Sequence, residues 1–122
     1  MTYANNIIPE KYHDFAEAVK KGWSADTSAY ETWGAEGIPA ESGQCAVTAL
    51  LVQRTYGGIL KRALVNGISH YWNEIDGETV DLTRAQFTLP LTFEDETERN
   101  REYVLSFPIT QERYSILNNN IS

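Results

Sequence analysis

Residues 58–83 have the sequence GILKRALVNGISHYWNEIDGETVDLT, and this stretch decides the fold. Asn66-Gly67 and Asp76-Gly77 are the dipeptides that two-residue hairpin turns favour, because both central positions of such turns need a positive φ. The segments beside them are rich in β-branched and aromatic residues, which are typical of strands. We predict three antiparallel strands, over residues 58–65, 68–75 and 78–83.

The length of the second turn decides which side chains share a face of this sheet. A two-residue turn pairs Ile75 with Glu78, and side chains alternate along a strand, so His70, Trp72 and Asp81 fall on one face. His70 and Asp81 are then diagonal neighbours, close enough for an imidazole to bond a carboxylate. A three-residue turn would instead place them on opposite faces unless a bulge restored them.

The rest of the chain predicts helices on either side of these strands. Ser42 is a natural N-cap for a helix over 43–56, and the apolar residues of that helix cover most of its circumference, so it should be central and buried. We also expect a first helix over 9–21, a long ordered loop over 24–41, an acidic helical patch near 95–104, and a last helix from Thr110 to Leu117. Together these elements predict an α+β fold in one domain spanning 1–122.

Cys45, the only cysteine, lies at the start of the central helix in this interpretation. Free backbone N–H groups and the positive end of the helix dipole favour thiolate over thiol there and could hold an oxyanion, with the Gln44 amide as a further donor. If Cys45 packs over the face of His70, then a nucleophile, a base and an orienting acid are complete. Taken one at a time, Cys45 could be a small core residue, His70 a half-buried strand residue and Asp81 a strand-end residue. Their combination favours catalysis.

Composition excludes several other classes of function. The chain has 122 residues and a formal net charge of -7, which disfavours nucleic acid as a partner. We see no apolar run of about 20 residues for a membrane span, and the N-terminus lacks the features of a secretory signal. One cysteine allows no internal disulfide, so we expect a reducing, cytoplasmic location. His13 and His70 lack ligand-like spacing, and no phosphate-binding glycine loop is present, so we expect no metal and no cofactor.

Two segments resemble the transglutaminase-like branch of the papain-like cysteine enzymes, which carry Cys at a helix start, then His on one strand and Asp on the next. These segments are His70-Tyr71-Trp72-Asn73-Glu74 and Val80-Asp81-Leu82-Thr83. More narrowly, the run from Ser42 to Gln53, Gly57-Gly58 and the run from His70 to Phe87 look like the uncharacterised bacterial YunG-like family. This narrower resemblance covers roughly residues 33–87.

The wider resemblance implies amide or peptide chemistry through a thioester, with Cys45, His70 and Asp81 as the triad. It implies that Gln44 or Trp33 lines the oxyanion or acyl site, and we add Trp72 as a substrate-binding candidate. The substrate would be a peptide, a protein or another amide. Hydrolysis would make the chain a peptidase or deamidase, whereas resolution by an amine would make it an acyl transferase.

Two other hypotheses stay open on the sequence. The chain could be a non-enzymatic acidic binding or inhibitory module that retains an inherited triad, since its charge and the aromatic residues between Trp23 and Trp33 suit a partner surface. It could also be a redox sensor that uses Cys45 alone. The oligomeric state is open as well.

Overall fold

The computed structural model describes residues 2–121, which form an α+β fold with four α-helices and one four-stranded antiparallel sheet. The helices are α1 (His13–Gly22), α2 (Cys45–Tyr56), α3 (Arg101–Leu105) and α4 (Pro108–Asn120). The strands are β1 (Ile59–Val65), β2 (Ile68–Ile75), β3 (Glu78–Val80) and β4 (Phe93–Arg99), in the spatial order β3-β2-β1-β4. Short 3-10 helices cover Glu10–Tyr12, Ala25–Thr27 and Arg84–Gln86.

Both predicted hairpin turns are confirmed. Asn66 and Asp76 each have a φ of 51°, each is followed by a glycine with a positive φ, and the flanking residues pair directly across the turn. This geometry matches the right-handed twist of the two strands that such a turn joins. The register across the second turn is Ile75 opposite Glu78, as a two-residue turn requires.

The third strand is shorter than the sequence predicts. β3 ends at Val80, opposite Asn73, so the ladder does not continue through Asp81 to residue 83. Asp81 instead exchanges two backbone hydrogen bonds with Ile7, at 2.7 and 3.1 Å. The segment near the N-terminus therefore takes over the pairing, and the β2 edge near His70 is left without a neighbouring strand.

Helix α2 packs on the face of β2 opposite to the one that carries His70. Asn73 donates a hydrogen bond of 2.9 Å to the carbonyl of Ala49, and Tyr71 packs against the same part of α2. On the other face, Trp72 packs in a separate apolar cluster with Phe87. Cys45, the first residue of α2, lies near His70.

Three helix predictions were wrong in their type or their bounds. The last helix runs over Pro108–Asn120, so it does not begin at Thr110 or end at Leu117. Ser42 does not cap α2: the helix begins at Cys45, Gln44 occupies the N-cap position, and a backbone turn from the Gln44 N–H to the Glu41 carbonyl precedes it. The predicted acidic helix over 95–104 was wrong over residues 95–99, which belong to β4 because pairing with β1 satisfies their backbone, and within that range the helix is limited to residues of Arg101–Leu105. The register shift between Arg62 and Leu64 bends this edge.

The remaining helices pack around α2. The core contains fully buried side chains from α1, α2 and α4, including Val19, Leu50 and Leu117. Asn120 donates a hydrogen bond of 2.9 Å to the carbonyl of Gly22 and so joins the ends of α4 and α1. Among the helices between residues 2 and 121, none combines the length and the apolar character that crossing a bilayer requires.

Candidate active site

Cys45 is the first residue of α2 and lies on the wall of a cleft. The backbone N–H groups of a helix's first turn have no partner inside the helix, and Cys45, Ala46 and Val47 all line the cleft, whose volume is about 640 Å³. The thiol is partly exposed and is not in a disulfide. A ligand in the cleft therefore meets a sulfur beside free backbone donors.

The turn before Cys45 is held by close backbone packing at Gly43. This residue has a φ of 72°, and a Cβ there would lie 2.4 Å from Oγ of Ser28 and 2.5 Å from the backbone N of Tyr30. The Ala29 N–H also donates to the Gly43 carbonyl at 2.9 Å. Glycine is required at this position both by its φ and by the adjacent chain, which places the start of α2 against residues 28–30.

His70 is completely buried and has a defined orientation. Its Nε2 lies 2.7 Å from Oδ2 of Asp81, and both side chains have no exposed surface. The ring stacks on Trp72 with centroids 5.8 Å apart and meets Phe87 edge-on at 4.9 Å. Two aromatic rings and one carboxylate thus hold the imidazole, leaving Nδ1 for other partners.

Asp81 is fully satisfied as a carboxylate. Oδ1 accepts a hydrogen bond of 3.1 Å from the backbone N–H of Thr83, and Oδ2 accepts one of 3.0 Å from Nε of Arg84 in addition to its contact with His70. Hydrogen bonds to charged groups are stronger than neutral ones and compensate the cost of burial. Asp81 is therefore placed as an acceptor that orients the ring.

The surroundings of His70 favour its charged form. Burial lowers the pKa of His70, because a charged ring loses its water, but the hydrogen bond with Asp81, the charge of Asp81 and the neighbouring Cys45 raise it. The result is a pKa of about 9, against 6.5 for an ordinary histidine. Asp81 is the partner hydrogen-bonded to Nε2, and Cys45 adds to the effect from the start of α2. His70 is then protonated at neutral pH.

The structure adds Gln86, which the sequence reasoning missed. Its Nε2 lies 3.3 Å from Nδ1 of His70 and donates to the Thr83 carbonyl at 3.2 Å, while its Oε1 accepts from the Gly43 N–H at 3.3 Å. This side chain therefore lies between the imidazole and the turn before Cys45, and its amide can donate to Nδ1 only after His70 has given up the proton on that nitrogen. Arg84 and Gln86 follow Asp81 by three and five residues, and polar residues directly after a candidate acid are the signal that could have found them.

Tyr71 also lines the cleft, although it follows His70 in β2 and its side chain therefore lies on the opposite face of the sheet. Burial raises its pKa, as do the charges of Tyr103 and Cys45, while Arg62 and Arg99 lower it to a lesser extent. Its phenol therefore stays protonated at neutral pH and is a hydrogen-bond donor.

The three predicted substrate-binding residues are not among those that line the cleft. Gln44 is fully buried, and its amide is already engaged: Oε1 accepts from Thr27 at 2.7 Å and Nε2 donates to the Ser24 carbonyl at 3.1 Å. Trp33 donates to the carbonyl of Ala40 at 2.8 Å, outside the cleft. Trp72 lies behind His70 and packs on the imidazole. Across residues 2–121, no group of three or more His, Cys, Asp or Glu side chains is arranged to hold a metal ion.

Fold and site together define a small α+β protein in which a partly exposed cysteine at a helix start adjoins a buried His–Asp pair. The chain belongs to the YunG protein family, whose family model matches residues 11–122. It is 36% identical over 76 residues to the uncharacterized protein YunG of Bacillus subtilis (strain 168). That alignment covers 62% of this chain and 63% of the relative. The chain therefore spans less than two thirds of the relative's length. No solved structure matches.

Proposed function

We propose that this chain is a cysteine-dependent amide or peptide hydrolase, or an acyl transferase, that acts through a thioester on Cys45. The observation that carries the proposal is the buried His70, whose Nε2 lies 2.7 Å from Oδ2 of Asp81 and whose pKa is raised by Asp81 and Cys45 together. The order of Cys at a helix start, His on a strand and Asp after the next strand also supports placing the family among the transglutaminase-like cysteine enzymes.

In the proposed reaction, the Cys45 thiolate attacks the acyl carbon of an amide and forms a carbon–sulfur bond. The negative charge that develops on the carbonyl oxygen faces the free N–H groups of the first turn of α2. Nδ1 of His70 then delivers its proton to the leaving nitrogen as the carbon–nitrogen bond breaks. The products of this half are a released amine and a thioester on Cys45.

Water or an amine completes the cycle. Neutral His70 takes a proton from the incoming nucleophile, which attacks the thioester, and the carbon–sulfur bond breaks to restore the Cys45 thiolate and the imidazolium. Asp81 keeps Nε2 protonated in both halves and so holds the ring in one orientation. The cleft volume of about 640 Å³ suits an acyl group of a few residues or a small molecule.

A two-part experiment tests this proposal. The wild-type protein is incubated with a library of peptide amides and aryl esters, and intact-protein mass spectrometry detects an acyl adduct on Cys45. The rate of Cys45 alkylation by iodoacetamide is measured against pH in parallel. We expect an acyl adduct that Cys45→Ala abolishes, and a pH dependence of Cys45 alkylation that His70→Ala changes.

Lys21 offers a matched control, because it is an exposed residue at the end of α1, away from the cleft. Lys21→Ala should leave both the adduct and the alkylation profile unchanged. An alkylation profile that is identical in the wild type and in His70→Ala, together with no acyl adduct from any library member, would refute the proposal.

A non-enzymatic acidic binding module is the second candidate, and the exposed strand β4 favours it. Glu94, Asp95, Glu96 and Glu98 are all exposed on this edge of the sheet, where a strand can pair with a partner. A basic peptide that binds wild type and loses affinity after Glu94→Gln and Glu98→Gln, without any Cys45 adduct, would select this candidate over the enzyme.

A further inference from the structure

The cleft beside Cys45 contains one side chain that neither the fold nor the proposed reaction uses. Most of the lining is apolar or aromatic, and it includes Tyr30, Ile38, Ile68 and Phe87. Arg113, on α4, is the one lining residue of the described chain that is an Arg, Lys, His, Asp or Glu. A charged side chain in a mostly apolar cleft is a candidate for binding the charged part of a ligand.

Arg113 also differs from every other arginine of the sequence. The other five all donate hydrogen bonds within the protein, namely Arg54, Arg62, Arg84, Arg99 and Arg101. Within residues 2–121, the guanidinium of Arg113 has no hydrogen bond and no ion pair, and its side chain is only partly exposed. Its five N–H donors therefore have no partner within the described residues, and it lines a cleft whose other lining residues include no Asp, Glu, Lys or His.

We propose that Arg113 binds a carboxylate of the substrate, so that the acyl group delivered to Cys45 is a dicarboxylic monoamide or an acidic side chain. This inference rests on the proposed function and names its substrate class. A guanidinium matches a carboxylate through two parallel hydrogen bonds, and the mostly apolar lining of the cleft would cover the methylene groups of such an acyl group. On a chain with net charge -7, an isolated cation also restores local attraction for an anionic ligand.

The test uses two thiol probes of nearly equal shape on the full chain. Maleimidohexanoate carries a carboxylate, N-hexylmaleimide does not, and the ratio of their second-order rates at Cys45 reports the attraction of the cleft for the anion. We expect this ratio to fall about fivefold in Arg113→Gln, the effect of one partly exposed ion pair, and to be largely retained in Arg113→Lys. Shorter maleimido acids of the same series should give a smaller rate ratio, relative to the uncharged maleimide of equal length, once they are too short to reach from Cys45 to Arg113.

Arg54→Gln is the matched control, because it removes the same charge from an exposed arginine that does not line the cleft. It should leave the ratio at the wild-type value. An equal ratio in wild type, Arg113→Gln and Arg54→Gln would overturn the inference. Labelling requires only an accessible thiol, so this result is independent of whether an acyl adduct or any turnover is found.

Protection of Cys45 against N-hexylmaleimide separates the two sources of the carboxylate. Adipamate represents a free dicarboxylic monoamide, and an N-acetylated tripeptide amide with a central glutamyl residue represents an acidic side chain. The compound that protects wild type but not Arg113→Gln identifies the source. Protection that is equal in both proteins, or no protection by either compound, contradicts the assignment.

Discussion

The pH dependence of stability should report the charge on buried His70. Its pKa is about 9 in the folded protein and 6.5 for an ordinary histidine. The folded state therefore binds the proton more tightly, and the resulting stabilisation is complete below about pH 6.5 and is lost as the pH rises through 9. At 1.36 kcal/mol for each pKa unit, the loss amounts to about 3 kcal/mol.

Asp81→Asn is the perturbation that isolates this effect. Asparagine keeps an oxygen for the Thr83 N–H but removes the charge that raises the pKa of His70, so burial then dominates and favours the neutral ring. The free energy of unfolding is measured by urea denaturation, followed by tryptophan fluorescence, at about pH 6 and about pH 10. We expect the wild type to lose about 3 kcal/mol more than the variant over this range.

Arg84→Gln provides the control, because Asp81→Asn also removes the partner of Arg84. This variant keeps the contact between His70 and Asp81, so its stability should depend on pH much as the wild type does. If wild type and Asp81→Asn show the same pH dependence, His70 is not held as an imidazolium and the reasoning fails.

Three further changes test the supports of the site by urea denaturation and by Cys45 alkylation. Gly43→Ala should cost more than about 1 kcal/mol, because its φ is 72° and the new Cβ would clash with Ser28; little loss of stability would contradict this. Gln44→Ala removes the two hydrogen bonds that the buried amide makes with Thr27 and with the Ser24 carbonyl and should cost about 1–3 kcal/mol, and we expect Cys45 to remain reactive; loss of its reactivity would give Gln44 a direct role. Leu50→Ala opens a cavity at a fully buried position and should cost about 2–5 kcal/mol, so a smaller effect would mean that α2 is not central to the core.

The hairpins were predictable because their turns are determined locally. Asn-Gly and Asp-Gly adopt positive φ at low cost, and the register then follows from the two-residue length alone. The prediction that His70 and Asp81 lie close together depended on that register. The two residues do meet, but Asp81 is not in the strand that was predicted to carry it. The carboxylate reaches the ring from a segment that pairs with Ile7, outside the predicted strand ladder.

The parts that could not be predicted depend on contacts distant in sequence. Residues 93–99 contain many helix-compatible acidic side chains, and only pairing with β1 makes them a strand, which no local pattern reveals. The structure begins α2 at Cys45 and not at residue 43, because Gly43 packs against residues 28–30. The amide of Gln44 consequently bonds Thr27, away from the cleft. Arg113 lies 68 positions from Cys45 in the sequence and meets the cleft only through the packing of α4.

The central claim is that Cys45, His70 and Asp81 behave as one ionised unit. The most direct measurement is an NMR titration of the ring nitrogens of His70 in wild type and in Cys45→Ala. We predict a wild-type midpoint of about 9, with both nitrogens protonated at neutral pH, and a lower midpoint in the variant, because the cysteine helps to raise the pKa of His70. A ring that is neutral at pH 7, or a midpoint that Cys45→Ala leaves unchanged, would contradict the claim.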